Sequence, residues 1–179
     1  MIAKTLMTAE EFAKTGPETD GFELLRGELV PMPPPGERHG RVCGKSVMLL
    51  GSHLKTLGRG ELVCNDTGIL TRRDPDSVRG ADVAVFLQPG WQASEGYGKI
   101  APDLVVEVRS PHEVWKDVLA KVSEYLATGV RMVWVIDPRA ERVTVFTADQ
   151  EPVTLAKEND LDGGDVLQGF RCKVAEFFQ

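Results

Sequence analysis

Apolar residues recur along this chain at two spacings, one typical of helices and one typical of strands. Between Glu37 and Leu57 they return at near-helical intervals, and Gly58 follows as a natural helix C-cap. This pattern predicts a long helix over Glu37 to Leu57, although three internal glycines weaken it. A second helix is predicted from Glu113 to Thr128, where Gly129 ends it.

Two blocks, Leu104 to Val108 and Met132 to Ile136, are apolar almost throughout. Such blocks are expected of strands that are covered on both faces of a sheet. With the helix between them, they predict a βαβ crossover inside a mixed sheet. Shorter strands are predicted over 62–64, 68–71, 83–87 and 142–147, with turns at 65–66 and 74–76 and short strands in the tail after 152.

The N-terminal region adds two local signals. Thr8 and Glu11 have the spacing of a capping box, which predicts a short helix. Phe22 to Val30 predicts a β-hairpin that turns at Arg26 and Gly27, where glycine supplies the positive φ of a two-residue turn. Together the elements predict an α/β (α+β) fold, with a mixed β-sheet flanked by α-helices and an N-terminal hairpin. At 179 residues, the chain is expected to form one domain over 1–179.

Composition narrows the functional classes. The net charge is −6, with 21 basic and 27 acidic residues, which argues against a protein that coats nucleic acids nonspecifically. It does not exclude a nuclease, because a bound cation offsets the charge of metal-binding carboxylates. The three cysteines match no zinc pattern, which favours reduced thiols. Since neither a secretory signal nor an apolar stretch of membrane length is visible, we expect a soluble, cytoplasmic protein.

Glu107 is the first residue that suggests chemistry, because it lies between Val106 and Val108 in a strand predicted to be central. An ionised carboxylate buried there is costly unless a cation, a positive partner or a proton compensates it. One interpretation is a structural salt bridge or a strand end that reaches solvent. The other is a functional carboxylate.

Asp82 makes the functional interpretation stronger. It precedes the next apolar strand toward the N-terminus, and alone it would be read as a turn residue. If the two strands are adjacent, Asp82 and Glu107 come within a few ångströms of each other. Two carboxylates, a backbone carbonyl such as that of Val108, and water would make a site for Mg²⁺, with Mn²⁺ as a substitute. A water on such an ion can attack a phosphate.

Phosphate chemistry also calls for a basic group, and the sequence offers two candidates. Arg109 shares the face of its strand with Glu107. Lys121 lies on the following helix, at the edge of a predicted apolar stripe of Val114, Val118 and Tyr125. A lysine in that position often only extends its ammonium into water. Because its pKa can move, Lys121 is the preferred catalytic base-like group, and Arg109 is the preferred phosphate contact.

A set of residues spread over nearly the whole chain carries a family pattern. It comprises Asp82, the segments 105–111, 129–130 and 133–138, the side chains Asp117, Lys121 and Tyr125, the segment 22–30, and His39. In this order they closely resemble the Uma-type restriction-endonuclease-like family of the PD-(D/E)XK nuclease superfamily. The resemblance implies a restriction-endonuclease-like core, a divalent metal and hydrolysis of phosphodiester bonds.

The chain departs from the superfamily pattern at two positions. Ala81 stands where a proline would precede Asp82, and Arg109 stands where the lysine of the E-x-K motif would be. The Uma-type family shares the second departure, and its lysine is displaced to the helix position matched by Lys121. Whether Lys121 or Arg109 is the basic group therefore stays open from the sequence.

Other residues are weaker candidates. Glu23 or Glu28 in the hairpin is a possible extra metal ligand, although exposed charge is the commoner outcome there. His39 is a possible phosphate contact at a helix start, or simply a solvated histidine. Asp103 follows a proline, as in the literal "PD" motif, but it lies only four residues before Glu107 on the same strand and ranks behind Asp82.

The function predicted from the sequence is therefore a Mg²⁺-dependent endonuclease that hydrolyses DNA. The alternative is a catalytically inactive nucleic-acid-binding or oligomeric interaction module on the same fold. By analogy with small nucleases that use two copies to span a duplex, a homodimer or higher homo-oligomer is expected.

Overall fold

Strands dominate the architecture, and the computed structural model describes residues 6–179. The strands are β1 (Phe22–Leu25), β2 (Glu28–Pro31), β3 (Glu61–Arg72), β4 (Ser77–Phe86), β5 (Leu104–Val108), β6 (Met132–Asp137), β7 (Arg142–Phe146), β8 (Val153–Ala156), β9 (Asp160–Asp162) and β10 (Arg171–Lys173). The helices are α1 (Ala9–Phe12), α2 (Glu37–Leu57) and α3 (Trp115–Thr128), with 3₁₀ turns at Gly16–Thr19 and Val174–Phe177.

Eight of these strands form one mixed sheet in the described part of the chain. Its order is β2-β1-β4-β5-β6-β7-β8, and β3 pairs with β4. Strands β9 and β10 form a separate two-stranded ribbon. The predicted crossover is confirmed, because β5 and β6 are parallel neighbours joined by α3, and both strands are buried along their whole length.

Helices cover both faces of the sheet, as predicted. Helix α2 packs Leu50 and Leu54 into a cluster that contains Trp134 and Phe177. Helix α3 packs the buried stripe of Val118, Val122 and Tyr125 into a cluster on the opposite face. The bounds predicted for α2 are confirmed at both ends, with Gly58 in the left-handed conformation that the C-cap requires.

Several predicted boundaries are wrong. The turn predicted at Asn65 and Asp66 is a bulge inside the continuous strand β3, where both residues have positive φ. A short polar pair with this conformation resembles a turn in sequence, but pairing with β4 continues on both sides of it. The apolar stripe predicted for α3 is also partly wrong. The helix begins at Trp115, so Val114 is the N-cap residue and is exposed instead of buried with Val118 and Tyr125.

One edge of β4 is shared by two strands, and this positions the site. Strand β1 pairs with β4 at Val78, whereas β5 pairs with it at residues 83–85. Residues 79–82 of β4 lie between these two partners, and β3 runs along the opposite edge. On this edge, a gap in the ladder therefore separates β1 from β5. We call this gap, at residues 79–82 of β4, the fork of the sheet.

Within residues 6–179, no helix has the combination of length and apolar character that crossing a membrane requires.

Amide hydrogen exchange is expected to be slowest in β5 and β6. Their amides lie in the centre of the sheet and open only with large-scale unfolding. The edge strand β8, with Val153 half exposed, should exchange much faster and serves as the internal comparison. Exchange in β5 and β6 as fast as in β8 would contradict the central placement of these strands.

Candidate active site in a carboxylate-lined cleft

Asp82 and Glu107 lie opposite each other on neighbouring strands. Val83 pairs with Val106 in the antiparallel β4–β5 ladder, so the next position along each strand brings Asp82 across from Glu107. Opposed residues share one face of a sheet, and both side chains line the same cleft. Both residues are buried. Asp82 lies in the middle of β4 and not at its start, because β4 already begins at Ser77.

Two hydrogen-bond partners fix the Asp82 carboxylate. The backbone N–H of Val108 donates to Oδ2 at 2.6 Å, and Nε2 of His39 lies 3.3 Å from Oδ1. His39 is the third residue of α2, so the helix start brings its imidazole to the cleft. Burial lowers the pKa of His39, but its hydrogen bond to Asp82 and the neighbouring carboxylates outweigh this effect and raise it.

The Glu107 carboxylate is held by two residues of α3. Tyr125 donates its hydroxyl to Oε1 at 2.8 Å, and Nζ of Lys121 lies 3.5 Å from Oε2. Burial raises the pKa of Glu107 well above its usual range, and the Asp82 carboxylate raises it further, against the opposing effects of Lys121 and Tyr125. Burial and the second carboxylate therefore both disfavour the ionised form of Glu107 when no cation is bound.

Lys121 lies between two carboxylates. Its Nζ is 3.2 Å from Oε1 of Glu23 and 3.5 Å from Oε2 of Glu107, and its side chain is 15% exposed. Burial lowers the pKa of Lys121, but the charges of Glu107 and Glu23 outweigh it and hold the pKa above its usual value. Lys121 is thus a fixed ammonium at neutral pH, which suits stabilisation of negative charge better than acceptance of a proton.

Glu23 is buried on β1 and connects the fork of the sheet to Lys121. It accepts the backbone N–H of Gly80 at 3.0 Å and a hydrogen bond from Arg79 at 2.9 Å. Arg79 in turn forms a two-point pair with Glu124 on α3, at 2.7 and 2.9 Å. Arg79 and Tyr125 were not recognised as site residues from the sequence, and the hydrogen bonds of Glu23 were not predicted. The signal that singled out Glu107, a charge inside an apolar strand, is also present at Glu23.

The other predicted residues lie elsewhere. Arg109 donates to Asp137 at 2.7 Å and to the carbonyl of Glu113, and it stacks over Trp115 at 5.1 Å, so its guanidinium is engaged outside the cleft. Trp115 is itself exposed at the start of α3. Asp103 accepts the Leu87 N–H beyond the opposite end of β5. Glu28 is exposed on β2 and does not line the cleft.

The cleft itself measures about 1360 Å³ and carries an excess of acid. Among its lining residues are two permanent cations, Arg79 and Lys121, and seven carboxylates: Asp20, Glu23, Asp66, Asp82, Glu107, Glu113 and Asp117. An anionic ligand would be repelled by such a surface unless cations were bound there.

A hard divalent cation fits this arrangement. Each carboxylate oxygen of Asp82 and Glu107 has two lone pairs, and the hydrogen bonds described above leave acceptor capacity on both groups. Oxygen donors of this type are the ligands that Mg²⁺ prefers. A bound cation would favour the ionised form of Glu107, which burial and the Asp82 charge disfavour by raising its pKa.

Comparison with known proteins places the chain in a family. A crystal structure of a protein titled a putative nuclease belonging to DUF820, from Anabaena variabilis, superimposes with a TM-score of 0.81 and 20% sequence identity, covering 96% of this chain and 97% of that one. The two proteins therefore share a fold. No curated protein matches the chain. The family model described as "Uma2: Putative restriction endonuclease" matches residues 9–175, and the chain therefore belongs to the Uma2 family.

Proposed function

We propose that this protein is a Mg²⁺-dependent endonuclease that hydrolyses phosphodiester bonds in DNA. The observation that supports the proposal is the meeting of Asp82, Glu107 and Lys121 in one cleft, from two strands and a helix. A nuclease of this kind needs two carboxylates for the metal and one fixed cation near them. The family membership is consistent with nuclease chemistry.

In this proposal Asp82, Glu107 and the backbone carbonyl of Val108 hold the metal, with Mn²⁺ as a substitute for Mg²⁺. When bound, Mg²⁺ would polarise the phosphate and lower the pKa of a coordinated water. The hydrogen bonds from Val108 and Tyr125 orient the two carboxylates before the metal arrives.

Lys121 supplies positive charge beside the reacting phosphate. Its ammonium is held from two sides, by Glu23 and Glu107, so little reorganisation is needed as negative charge develops on the phosphate oxygens. His39 lines the same cleft at the start of α2, but its two ring nitrogens contact Asp82 and Cys43, which does not support the phosphate contact predicted for it. The contacts of Arg109 with Asp137 and Glu113 do not support a direct phosphate role for it.

The test is cleavage of plasmid and oligonucleotide DNA, single- and double-stranded, with Mg²⁺ or Mn²⁺ and with chelator. Cleavage that requires the metal and leaves internal breaks supports the proposal. Absence of cleavage on every DNA, with DNA binding retained, would favour the inactive binding module. Light scattering on the same samples checks the homodimer that we expect by analogy with nucleases that span a duplex.

Replacing Glu23 with glutamine should lower turnover by roughly 10- to 100-fold, the range typical of residues that orient a functional group. The glutamine side chain keeps an acceptor for the Gly80 N–H but loses the charge that holds Lys121 from one side. Mg²⁺ affinity measured by calorimetry should stay close to wild type, because Asp82 and Glu107 are intact.

The matched control is Glu28→Gln, on the same hairpin but exposed and outside the cleft. It should cleave DNA like the wild type. If Glu23→Gln loses metal affinity in proportion to turnover, Glu23 is a metal ligand and not a positioning residue for Lys121.

A further inference from the structure

A second set of possible metal ligands lies beside Asp82, on the first two turns of α2. His39 and Cys43 are four residues apart and therefore share one face of the helix. Nδ1 of His39 lies 3.4 Å from Sγ of Cys43, while Nε2 lies 3.3 Å from Oδ1 of Asp82. One ligand atom from each of these three residues lies within 4.8 Å of the others.

The chemistry of this set differs from that of the carboxylate pair. A thiolate and an imidazole are soft or borderline ligands that select Zn²⁺ and related ions, whereas Mg²⁺ prefers oxygen. We propose that His39, Cys43 and Asp82 form a site for a thiophilic divalent cation such as Zn²⁺, and that this site shares Asp82 with the Mg²⁺ site. The shared ligand makes the two ions compete, a consequence that rests on the proposed function.

The geometry is close to what zinc requires. Ligands at about 2.0–2.3 Å from a tetrahedral zinc lie roughly 3.3–3.7 Å from one another. One ring nitrogen of His39 would bind the ion, and the three ligand atoms, which now lie within 4.8 Å of one another, would have to approach by up to about 1 Å to reach that spacing. Three protein ligands leave a fourth position for water, and His39 and Asp82 open onto the cleft through which an ion can enter.

Binding of the metal ion would also displace the thiol proton of Cys43. Without metal, the Cys43 thiol carries its proton at neutral pH, as an ordinary cysteine does. The cation replaces that proton at sulfur, and the proton is released to solvent. The site thus binds metal in exchange for a proton and without any redox step.

Cobalt absorption tests the site without DNA. The reduced protein is titrated with Co²⁺, and a thiolate-to-cobalt charge-transfer band in the near ultraviolet is expected, which Zn²⁺ should displace. Cys43→Ser should lose the band. Cys64→Ser, which changes an exposed cysteine on β3, should keep it. A missing band in the wild type, or an equal band in Cys43→Ser, would overturn the proposal.

Inhibition of DNA cleavage by Zn²⁺ tests whether the two metal sites share Asp82. Zn²⁺ should inhibit Mg²⁺-dependent cleavage by the wild type, and Cys43→Ser should need roughly 10- to 100-fold more Zn²⁺ for the same inhibition, since even residues outside the ligand set change metal affinity that much. Equal inhibition of both proteins would refute the competition at Asp82. If the wild type cleaves no DNA, the proposed function fails, and the cobalt band alone then decides the metal site.

Discussion

Asp82→Asn and Glu107→Gln are each expected to abolish Mg²⁺-dependent DNA cleavage. Each substitution removes one of the two carboxylates proposed to hold the metal, and the metal is worth several kcal/mol of transition-state stabilisation. The loss in kcat/KM should therefore be roughly 10³-fold or more. Steady-state cleavage of a labelled oligonucleotide measures it, and calorimetry with Mg²⁺ or Mn²⁺ should show that binding is lost as well.

Thermal unfolding separates this effect from misfolding. An asparagine in place of Asp82 keeps an oxygen that can accept the Val108 N–H, and it relieves repulsion with Glu107. The contact between Asp82 and His39 is weakened at the same time, so Asp82→Asn without metal should stay close to the wild type in stability. Saturating Mg²⁺ should stabilise the wild type by about 2.7 kcal/mol at a hundred times Kd, and it should not stabilise Asp82→Asn.

Asp103→Asn is the matched control for this pair, since Asp103 is also a buried aspartate but lies outside the cleft. It should keep both cleavage and the stabilisation by Mg²⁺, although its hydrogen bonds with Leu87 and Arg131 make it less stable. If cleavage survives in Asp82→Asn and disappears in Asp103→Asn, the metal ligand is Asp103, the aspartate of the literal "PD" motif, and not Asp82.

Strong local signals explain which parts of the fold were predictable. Helix α2, the hairpin and the β5–α3–β6 crossover each combine an apolar period with a clear end signal, such as Gly58 or Gly129. The turn that was wrongly predicted at residues 65–66 depends on pairing between distant strands. The bulge at residues 65–66 continues a strand only because β4 lies alongside it, and no local pattern records that partner.

The same distinction applies to the site. Glu107 was found because a charge in an apolar strand is costly, and Asp82 was found because the strand that it was predicted to precede would lie beside Glu107. Glu23 has the same signal in the sequence. Its contact with Lys121, however, depends on β1 and β5 sharing one edge of β4, and only the three-dimensional pairing of the strands creates that arrangement. The engagement of Arg109 by Asp137, 28 residues away, was likewise not visible locally.

Lys121→Met is expected to remove most DNA cleavage while leaving Mg²⁺ binding nearly intact. Methionine keeps the apolar stem of the side chain but removes the ammonium that lies beside Glu107 and Glu23. Loss of one preorganised charge at a transition state costs on the order of 10²-fold or more in kcat. Leaving two buried carboxylates without this partner costs roughly 1–3 kcal/mol of stability, so cleavage is measured well below the melting temperature of the variant.

Two further variants decide what Lys121 does. Lys121→Gln can still donate hydrogen bonds to the two carboxylates, so it should fold more stably than Lys121→Met and yet cleave as poorly, because it lacks the charge. Lys116→Met, on the exposed side of the same helix, controls for losing a lysine from α3 and should cleave like the wild type. If Lys121→Gln retains wild-type turnover, the ammonium only balances charge in the folded protein, and the cation of the reaction lies elsewhere in the cleft.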